Sequence, residues 1–145
     1  MSSGPPPPIA CVDLNGVLDA YAGDRGPAHY DPPRPGARAF LEALRARGFA
    51  VVVFTTRYAP DVRRWLRRHG LDDLVDDVTD RKPPAFVFVD DRAVCFRGDF
   101  EATLRTIDGF AAHWEQGPAV TDVDFVRKRP RRESTSAGPG SKITE

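Results

Sequence analysis

The stretch that decides the fold is Cys11-Val12-Asp13-Leu14-Asn15-Gly16-Val17-Leu18. With the two residues before it, it predicts a short apolar strand from Ile9 to Leu14 that ends by releasing an acid and an amide into a loop. Gly16 permits the sharp turn that this requires. Open α/β sheets place ligands at the carboxyl ends of their strands, so Asp13 and Asn15 are candidate functional residues. The same residues also suit a plain turn after a strand, so other motifs have to decide between the two.

The composition is that of one ordinary domain. The chain has 145 residues and 41% apolar content, which suffices for one core and not for two. Its 21 basic residues equal its 21 acidic ones, so the net charge of the chain does not favour binding to nucleic acid or acidic lipid.

Cys11 and Cys95 lie in apolar, strand-like runs, which predicts buried free thiols. With no apolar run long enough for a membrane and no signal-peptide pattern, we expect a cytoplasmic protein without a membrane partner.

Three segments differ in composition. Residues 1–8 include four prolines and predict an extended tail, residues 9–116 predict the domain, and residues 117–145 predict a flexible tail. Five basic residues between Arg127 and Arg132 make the second tail basic. A basic tail suits an acidic partner such as nucleic acid, although it is more often only a solubilising end.

Continuous apolar runs predict two further strands: Phe49 to Phe54, buried on both faces, and Phe86 to Val89, which is fully apolar. Weaker patterns predict short strands at Leu74 to Val78 and at Val94 to Phe96.

Helical spacing predicts three helices between these strands. The first begins at Pro35 and Gly36 and ends at Gly48, and its apolar positions are Ala37, Phe40, Leu41 and Leu44. The second begins near Pro60, with apolar positions Val62, Trp65, Leu66 and His69. The last is capped by Asp99, with apolar positions Phe100, Leu104, Ile107, Ala111 and Trp114. The alternation predicts an α/β fold, a three-layer α/β/α Rossmann-like sandwich with a mainly parallel sheet.

A loop rich in glycine and proline, residues 19–35, follows the first strand and is named the flap loop here. Its length and position predict a lid or flap over a site rather than an idle linker. It contains His29, a candidate acid or base, although a surface histidine needs no such role.

Polar residues follow three of the predicted strands at the same edge of the sheet: Asp13 and Asn15, Thr55 and Thr56, and Asp90 and Asp91, with Lys82 just before the last. Carboxylates from two strand ends can hold Mg²⁺, which prefers oxygen ligands. A threonine hydroxyl and a lysine ammonium would complete a cradle for a phosphoryl group. An aspartate in such a cradle can act as a nucleophile and form an aspartyl-phosphate.

The order of Asp13-Leu14-Asn15-Gly16, Thr55, Lys82-Pro83 and Asp90-Asp91 resembles the haloacid dehalogenase (HAD) superfamily over about residues 9–116. A two-component receiver domain uses similar residue types, but places its paired acids first. The HAD resemblance implies Asp13 as nucleophile and Mg²⁺ ligand, and Asn15 as a ligand through its backbone carbonyl. Asp91 would be the ligand from the second strand, supported by Asp90.

The same resemblance implies a phosphate site. Thr55 would hydrogen-bond the phosphoryl oxygens, with Thr56 as the alternative if the register differs by one. Lys82 would steady both Asp13 and the phosphate. The phosphate site also includes Asn15.

Asn15 departs from the family pattern, because HAD phosphatases usually have an aspartate there that protonates the leaving oxygen. An amide donates hydrogen bonds but exchanges no proton near neutral pH, and general acid–base help is commonly worth about 10² to 10⁴ in rate. Two functions stay open: a Mg²⁺-dependent HAD-like hydrolase or phosphatase acting through Asp13, and a weak or inactive phosphate- and Mg²⁺-binding module in regulation or interaction.

The intervals where the family inserts its cap domains are short here, so we expect no sizeable cap and an open cleft. Capless members tend to act on large phosphorylated substrates, such as proteins or nucleic acid ends, or to close the site by forming oligomers.

Overall fold

Four short parallel strands form the central sheet of the computed structural model, which describes residues 4–115. They are β1 (Ile9–Asp13), β2 (Ala50–Phe54), β3 (Asp77–Thr79) and β4 (Val87–Val89). The sheet order is β3-β2-β1-β4, and each pair of neighbours is parallel. The predictions for the tail at residues 117–145, including the basic run, lie outside the described residues.

Two helices cover one face of the sheet. They are α1 (Ala37–Ala46) and α2 (Ala59–Arg68). Leu41 of α1 and Leu66 of α2 join one core cluster with Val12 and Val53. Val12 and Val53 are partners in the β1–β2 register, so both helices pack on the same face. The predicted α/β, Rossmann-like class with a parallel sheet is therefore confirmed.

The third helix, α3 (Phe100–Asp108), behaves differently, because it buries none of its side chains. Its cap is as predicted, since the Asp99 carboxylate accepts a hydrogen bond from the Ala102 N–H at 3.1 Å. The helix was expected to continue to Trp114, and this is wrong. It ends at Gly109, and after a break the chain makes a 3₁₀ turn over His113–Glu115.

Three further expectations are corrected by the structure. Residues 94–96 form no strand, and Cys95 is exposed, whereas Cys11 is buried between the central strands. Hydrophobicity alone does not make a strand, because a strand needs a neighbouring edge to pair with. The strand expected at Leu74 to Val78 is shifted: a 3₁₀ turn at Asp72–Leu74 precedes β3. His69 was predicted on the apolar face of the second helix. It follows α2 and is exposed, with its ring against the Trp65 ring.

The flap loop is irregular, as predicted, but it is closed at its base. An antiparallel bridge joins Asp19 to Pro33, and the Arg34 N–H donates to the Leu18 carbonyl at 2.8 Å. The Trp65 indole N–H also donates to the Asp31 carbonyl at 2.9 Å. Residues 4–115 hold no sizeable cap in addition to this loop. None of the helices in this part of the chain has the length and apolar character to cross a membrane.

The buried face of α1 offers a test of the core. Leu41 is fully buried, whereas Phe40 beside it is 37% exposed. We expect Leu41→Ala to lower the free energy of unfolding by about 2 to 5 kcal/mol, because it leaves a cavity. Phe40→Ala, on the same helix, is the matched control and should cost clearly less. Urea denaturation measures both, and equal losses would contradict this packing.

Candidate active site

The sheet brings three carboxylates together at one edge. Asp13 is the last residue of β1, Asp90 and Asp91 follow β4 directly, and Val12 and Val89 are partners in the register of these two strands. One oxygen from each acid lies within 4.8 Å of the others. These residues are named the acidic cluster here. Their convergence is the one that the sequence predicted, while their chemical roles stay predictions.

Within the described residues, no basic side chain forms an ion pair with the carboxylates of the acidic cluster. Burial, a hydrogen bond with Asp91 and the charges of Asp90 and Asp91 raise the pKa of Asp13 to about 8, against a smaller opposing effect of the Leu14 N–H. Burial also disfavours ionised Asp91, but hydrogen bonds with Asp13 and Trp114 outweigh it and lower the pKa of Asp91. Asp13 is therefore the acid of this pair that holds a proton more readily.

The turn after Asp13 is held by a buried acid that sequence reasoning missed. Asp19 is 1% exposed, and its Oδ1 accepts hydrogen bonds from the N–H groups of Gly16 at 2.9 Å and of Tyr21 at 3.1 Å. Burial raises the pKa of Asp19, and these two N–H groups oppose that effect. Gly16 has φ of 85°, and a Cβ there would overlap the Asp91 carboxylate. Glycine is therefore required both for the turn and for the space.

Thr55 lies beside Asp13, because Asp13 and Phe54 are partners in the β1–β2 register. The residue is buried, and its Oγ1 accepts a hydrogen bond from the Arg57 N–H at 3.0 Å. That bond uses a lone pair of the oxygen and leaves the hydroxyl proton to be donated elsewhere. Thr56, the alternative, is exposed at the rim of the cleft.

Lys82 is not brought onto the acidic cluster. Its ammonium lies 4.7 Å from the centre of the Phe88 ring, and no ion pair joins it to Asp13, Asp90 or Asp91 in the described part of the chain. A cation over an aromatic face is a stable arrangement in its own right. A role for Lys82 in phosphate binding requires its long side chain to leave this ring.

Asn15 lines an open cleft of about 300 Å³ together with Thr56, Arg57 and His29. Its side-chain oxygen, Oδ1, is buried and has no hydrogen-bond partner within residues 4–115. A buried acceptor without a partner is costly, which points to a group that binds there. On the opposite wall, His29 Nε2 is 3.0 Å from Asp31 Oδ1.

Arg57 fastens the flap loop to the end of β2, and no sequence pattern marked it. Its guanidinium donates to the carbonyls of His29 at 2.5 Å, Gly26 at 3.2 Å and Pro27 at 3.4 Å. It also lies 4.0 Å from the centre of the Tyr30 ring. Arg57 therefore helps to hold one wall of the cleft beside Asn15 in place, together with the Trp65 contact at Asp31.

Trp114 is the third residue that sequence reasoning missed, because its spacing placed it on the apolar face of a helix. Its indole N–H donates to Asp91 Oδ2 at 2.6 Å. Next to it, the ring N–H of His113 donates to the Gly16 carbonyl at 2.5 Å.

The residues present fit a hard divalent cation. Asp13, Asp90 and Asp91 offer carboxylate oxygens at close range, and carboxylates are the usual protein ligands of Mg²⁺. Burial and the neighbouring carboxylates raise the pKa of Asp13, and a bound cation would supply positive charge that favours its ionised form.

Comparison with known proteins gives the family. The model of the haloacid dehalogenase-like hydrolases matches residues 10–92, more than half of the chain, so the protein belongs to this family of hydrolases. No match was found among curated proteins.

Solved structures similar to this chain include proteins from two bacteria. A conserved protein from Bacteroides thetaiotaomicron is 19% identical with a TM-score of 0.50, and the match covers 78% of this chain and 99% of that one. An uncharacterized protein from Listeria monocytogenes serotype 4b is also 19% identical, with a TM-score of 0.43. That match covers 53% of this chain and 50% of the Listeria protein, so it spans only half of the latter. At this identity the Bacteroides protein supports the fold alone.

The protonated state of Asp13 predicts a pH dependence of stability. Between about pH 4 and pH 8 the folded protein keeps a proton that the unfolded chain releases, so the free energy of unfolding falls as the pH rises. Asp13→Asn removes this contribution, and we expect a flatter profile and a more stable metal-free protein at pH 8. Urea denaturation in a chelator measures it, with the exposed Asp80→Asn as control. Parallel profiles for Asp13→Asn and the unmodified protein would contradict the raised pKa.

The contacts of Arg57 predict how the flap loop is held. We expect Arg57→Ala to raise the rate of tryptic cleavage after Arg25 at least several-fold, because three carbonyl contacts and a ring contact are lost. Arg63→Ala, which removes only an ion pair with Asp77, is the control. Mass spectrometry of early digestion products identifies the site, and an unchanged rate would show that Arg57 does not hold the loop.

Proposed function

We propose that this member of the family is a Mg²⁺-dependent phosphohydrolase in which Asp13 is the nucleophile. The observation that carries the proposal is the acidic cluster: a carboxylate at the end of β1 lies within 4.8 Å of two carboxylates at the end of β4. A nucleophilic aspartate needs a neighbour that neutralises its own charge and that of the phosphate. Asp13, Asp90 and Asp91 would hold Mg²⁺, and bound Mg²⁺ would neutralise the phosphoryl oxygens.

Asp13 acts first. One carboxylate oxygen of ionised Asp13 attacks phosphorus, the bond from phosphorus to the leaving oxygen breaks, and an aspartyl-phosphate forms. Thr55 donates a hydrogen bond from its hydroxyl to a phosphoryl oxygen and so orients the phosphoryl group. Water then attacks the aspartyl-phosphate, which releases inorganic phosphate and restores Asp13.

The leaving group decides how fast the first step is. Asn15 cannot give a proton to the leaving oxygen, so leaving groups that are stable as anions, such as aryl or acyl oxygens, suit this site best. His29 lines the same cleft as Asn15 and is the residue from which a proton for poorer leaving groups would come.

The substrate follows from the shape of the site. The cleft is open and no sizeable cap covers it in residues 4–115, which favours a phosphate carried on a large molecule such as a protein or a nucleic acid end. Its walls are largely polar, with Arg57 and Asp31 among the residues that line it.

A second function, a phosphate- or Mg²⁺-binding module without turnover, is favoured by one observation. The amide at position 15 leaves the site without the family's usual acid, while the cation-binding acids are retained. Such a module would bind Mg²⁺ and phosphate as tightly as an enzyme does, and would differ only in turnover.

Hydrolysis of para-nitrophenyl phosphate separates the two functions, because an aryl oxygen leaves without a proton. We expect the unmodified protein to be active only with Mg²⁺, and Asp13→Ala to lose at least about 100-fold in rate. Asn15→Asp should raise the rate, by up to about 10² to 10⁴ on an alkyl phosphate and by less on the aryl ester.

Asp80→Ala is the matched control, since Asp80 is exposed and lies away from the acidic cluster. Activity that survives Asp13→Ala would contradict the assignment of the nucleophile. Mg²⁺ binding by calorimetry, with no turnover by the unmodified protein or by Asn15→Asp, would establish the binding module.

A further inference from the structure

We propose that Trp114 is a positioning residue of the Mg²⁺ site, which fixes the Asp91 carboxylate through the hydrogen bond from its indole N–H to Asp91 Oδ2. The proposal rests on the function proposed above, in that it needs Mg²⁺ to bind at the acidic cluster. It adds a residue that lies beyond the part of the chain matched by the family model, which ends at residue 92.

The direct contact is short and well directed. The indole nitrogen of Trp114 lies 2.6 Å from Asp91 Oδ2, and indole has only a donor to offer. This bond restrains rotation of the carboxylate and uses one acceptor site of Oδ2, and the other acceptor sites of the carboxylate would serve a cation. Outer partners of ligating carboxylates usually orient them in this way.

The Trp114 ring is itself held on two sides. The Tyr21 ring meets it edge-on at 5.1 Å between centroids, and the Arg92 guanidinium lies 5.0 Å from its centre. Arg92 also reaches Glu115 at 3.9 Å, although both side chains are largely exposed and this pair adds little. The ring therefore has one orientation, in which its N–H points into the acidic cluster.

The short segment that carries Trp114 is anchored independently of the ring. Ala112 is 1% exposed, its N–H donates to the Glu115 carboxylate at 3.0 Å, and the Glu115 N–H returns a bond to the Ala112 carbonyl at 2.9 Å. His113 fixes the segment to the Gly16 carbonyl. These anchors remain when the indole N–H is removed, so the effect of that N–H can be measured in a folded protein.

Close packing at Gly16 supports the same conclusion. A Cβ at this position would lie 2.7 Å from Asp91 Cγ and 3.0 Å from the Trp114 indole nitrogen. The Asp91 carboxylate and the Trp114 indole thus both lie against the backbone at Gly16. Trp114 reaches Asp91 only because residue 16 has no side chain.

The test uses the two tryptophans of the chain, Trp65 and Trp114. Trp114→Phe removes the indole N–H and keeps an aromatic ring, whereas Trp65→Phe removes an indole N–H that bonds the Asp31 carbonyl and not the acidic cluster, and is the matched control. Affinity for Mg²⁺ is measured by calorimetry, and intrinsic fluorescence is followed during the same titration. Thermal melts of each variant without metal show how much stability is lost.

We expect Trp114→Phe to bind Mg²⁺ about 10- to 100-fold more weakly, in the range found for outer partners of metal ligands, and Trp65→Phe to bind within about twofold of the unmodified protein. Fluorescence should change with Mg²⁺ in Trp65→Phe, where Trp114 alone emits, and stay constant in Trp114→Phe. At saturating Mg²⁺, kcat of Trp114→Phe on para-nitrophenyl phosphate should be within about threefold of kcat of the unmodified protein.

The experiment distinguishes a failure of the role of Trp114 from a failure of the proposed function. If the unmodified protein binds Mg²⁺ and Trp114→Phe binds it equally well, the role of Trp114 is overturned and the proposed function stands. If the unmodified protein binds no Mg²⁺, both are overturned. A loss of affinity in Trp65→Phe as large as in Trp114→Phe would mean that the effect is a general loss of stability, and would also overturn the role of Trp114.

Discussion

The repulsion between carboxylates at the end of the sheet is the constraint on which the rest of the site depends. Parallel pairing of β1 with β4 leaves Asp13, Asp90 and Asp91 no room to separate, because each comes at the end of a strand with a fixed register. The structure relieves the repulsion in two ways: a proton is kept on Asp13, and Asp91 is stabilised as an anion by Trp114. Both effects reduce the repulsion without a cation.

The strands and the acidic cluster were predictable from the sequence for a simple reason. A run such as Val51 to Phe54 has few alternatives to a buried strand, and the carboxyl ends of parallel strands must meet at one edge. The order of the motifs then identified the family, which the match over residues 10–92 confirmed.

What the sequence did not reveal depends on long-range contacts. Trp114 fits the apolar period of α3, yet Gly109 ends the helix and the ring turns to an acid instead. Cys95 lies in an apolar run that pairs with no strand in the described part of the chain. The motif predicted that Lys82 contacts Asp13 and the phosphate. Its long side chain can reach either a phosphate or the Phe88 ring, and the spacing of the motif does not determine which of the two it contacts.

The contacts of His113 and Trp114 also have a consequence for the order in which the site is completed during synthesis. The hydrogen bond from His113 to Gly16 joins residues 97 positions apart, and Trp114 follows Asp91 by 23 positions. A growing chain that has emerged only as far as β4 already carries all three acids, but not the ring that orients Asp91. Contacts so distant in sequence form late, since the intervening chain must first be ordered. The Asp91 carboxylate can therefore accept its hydrogen bond from Trp114 only after the chain has been synthesised as far as residue 114.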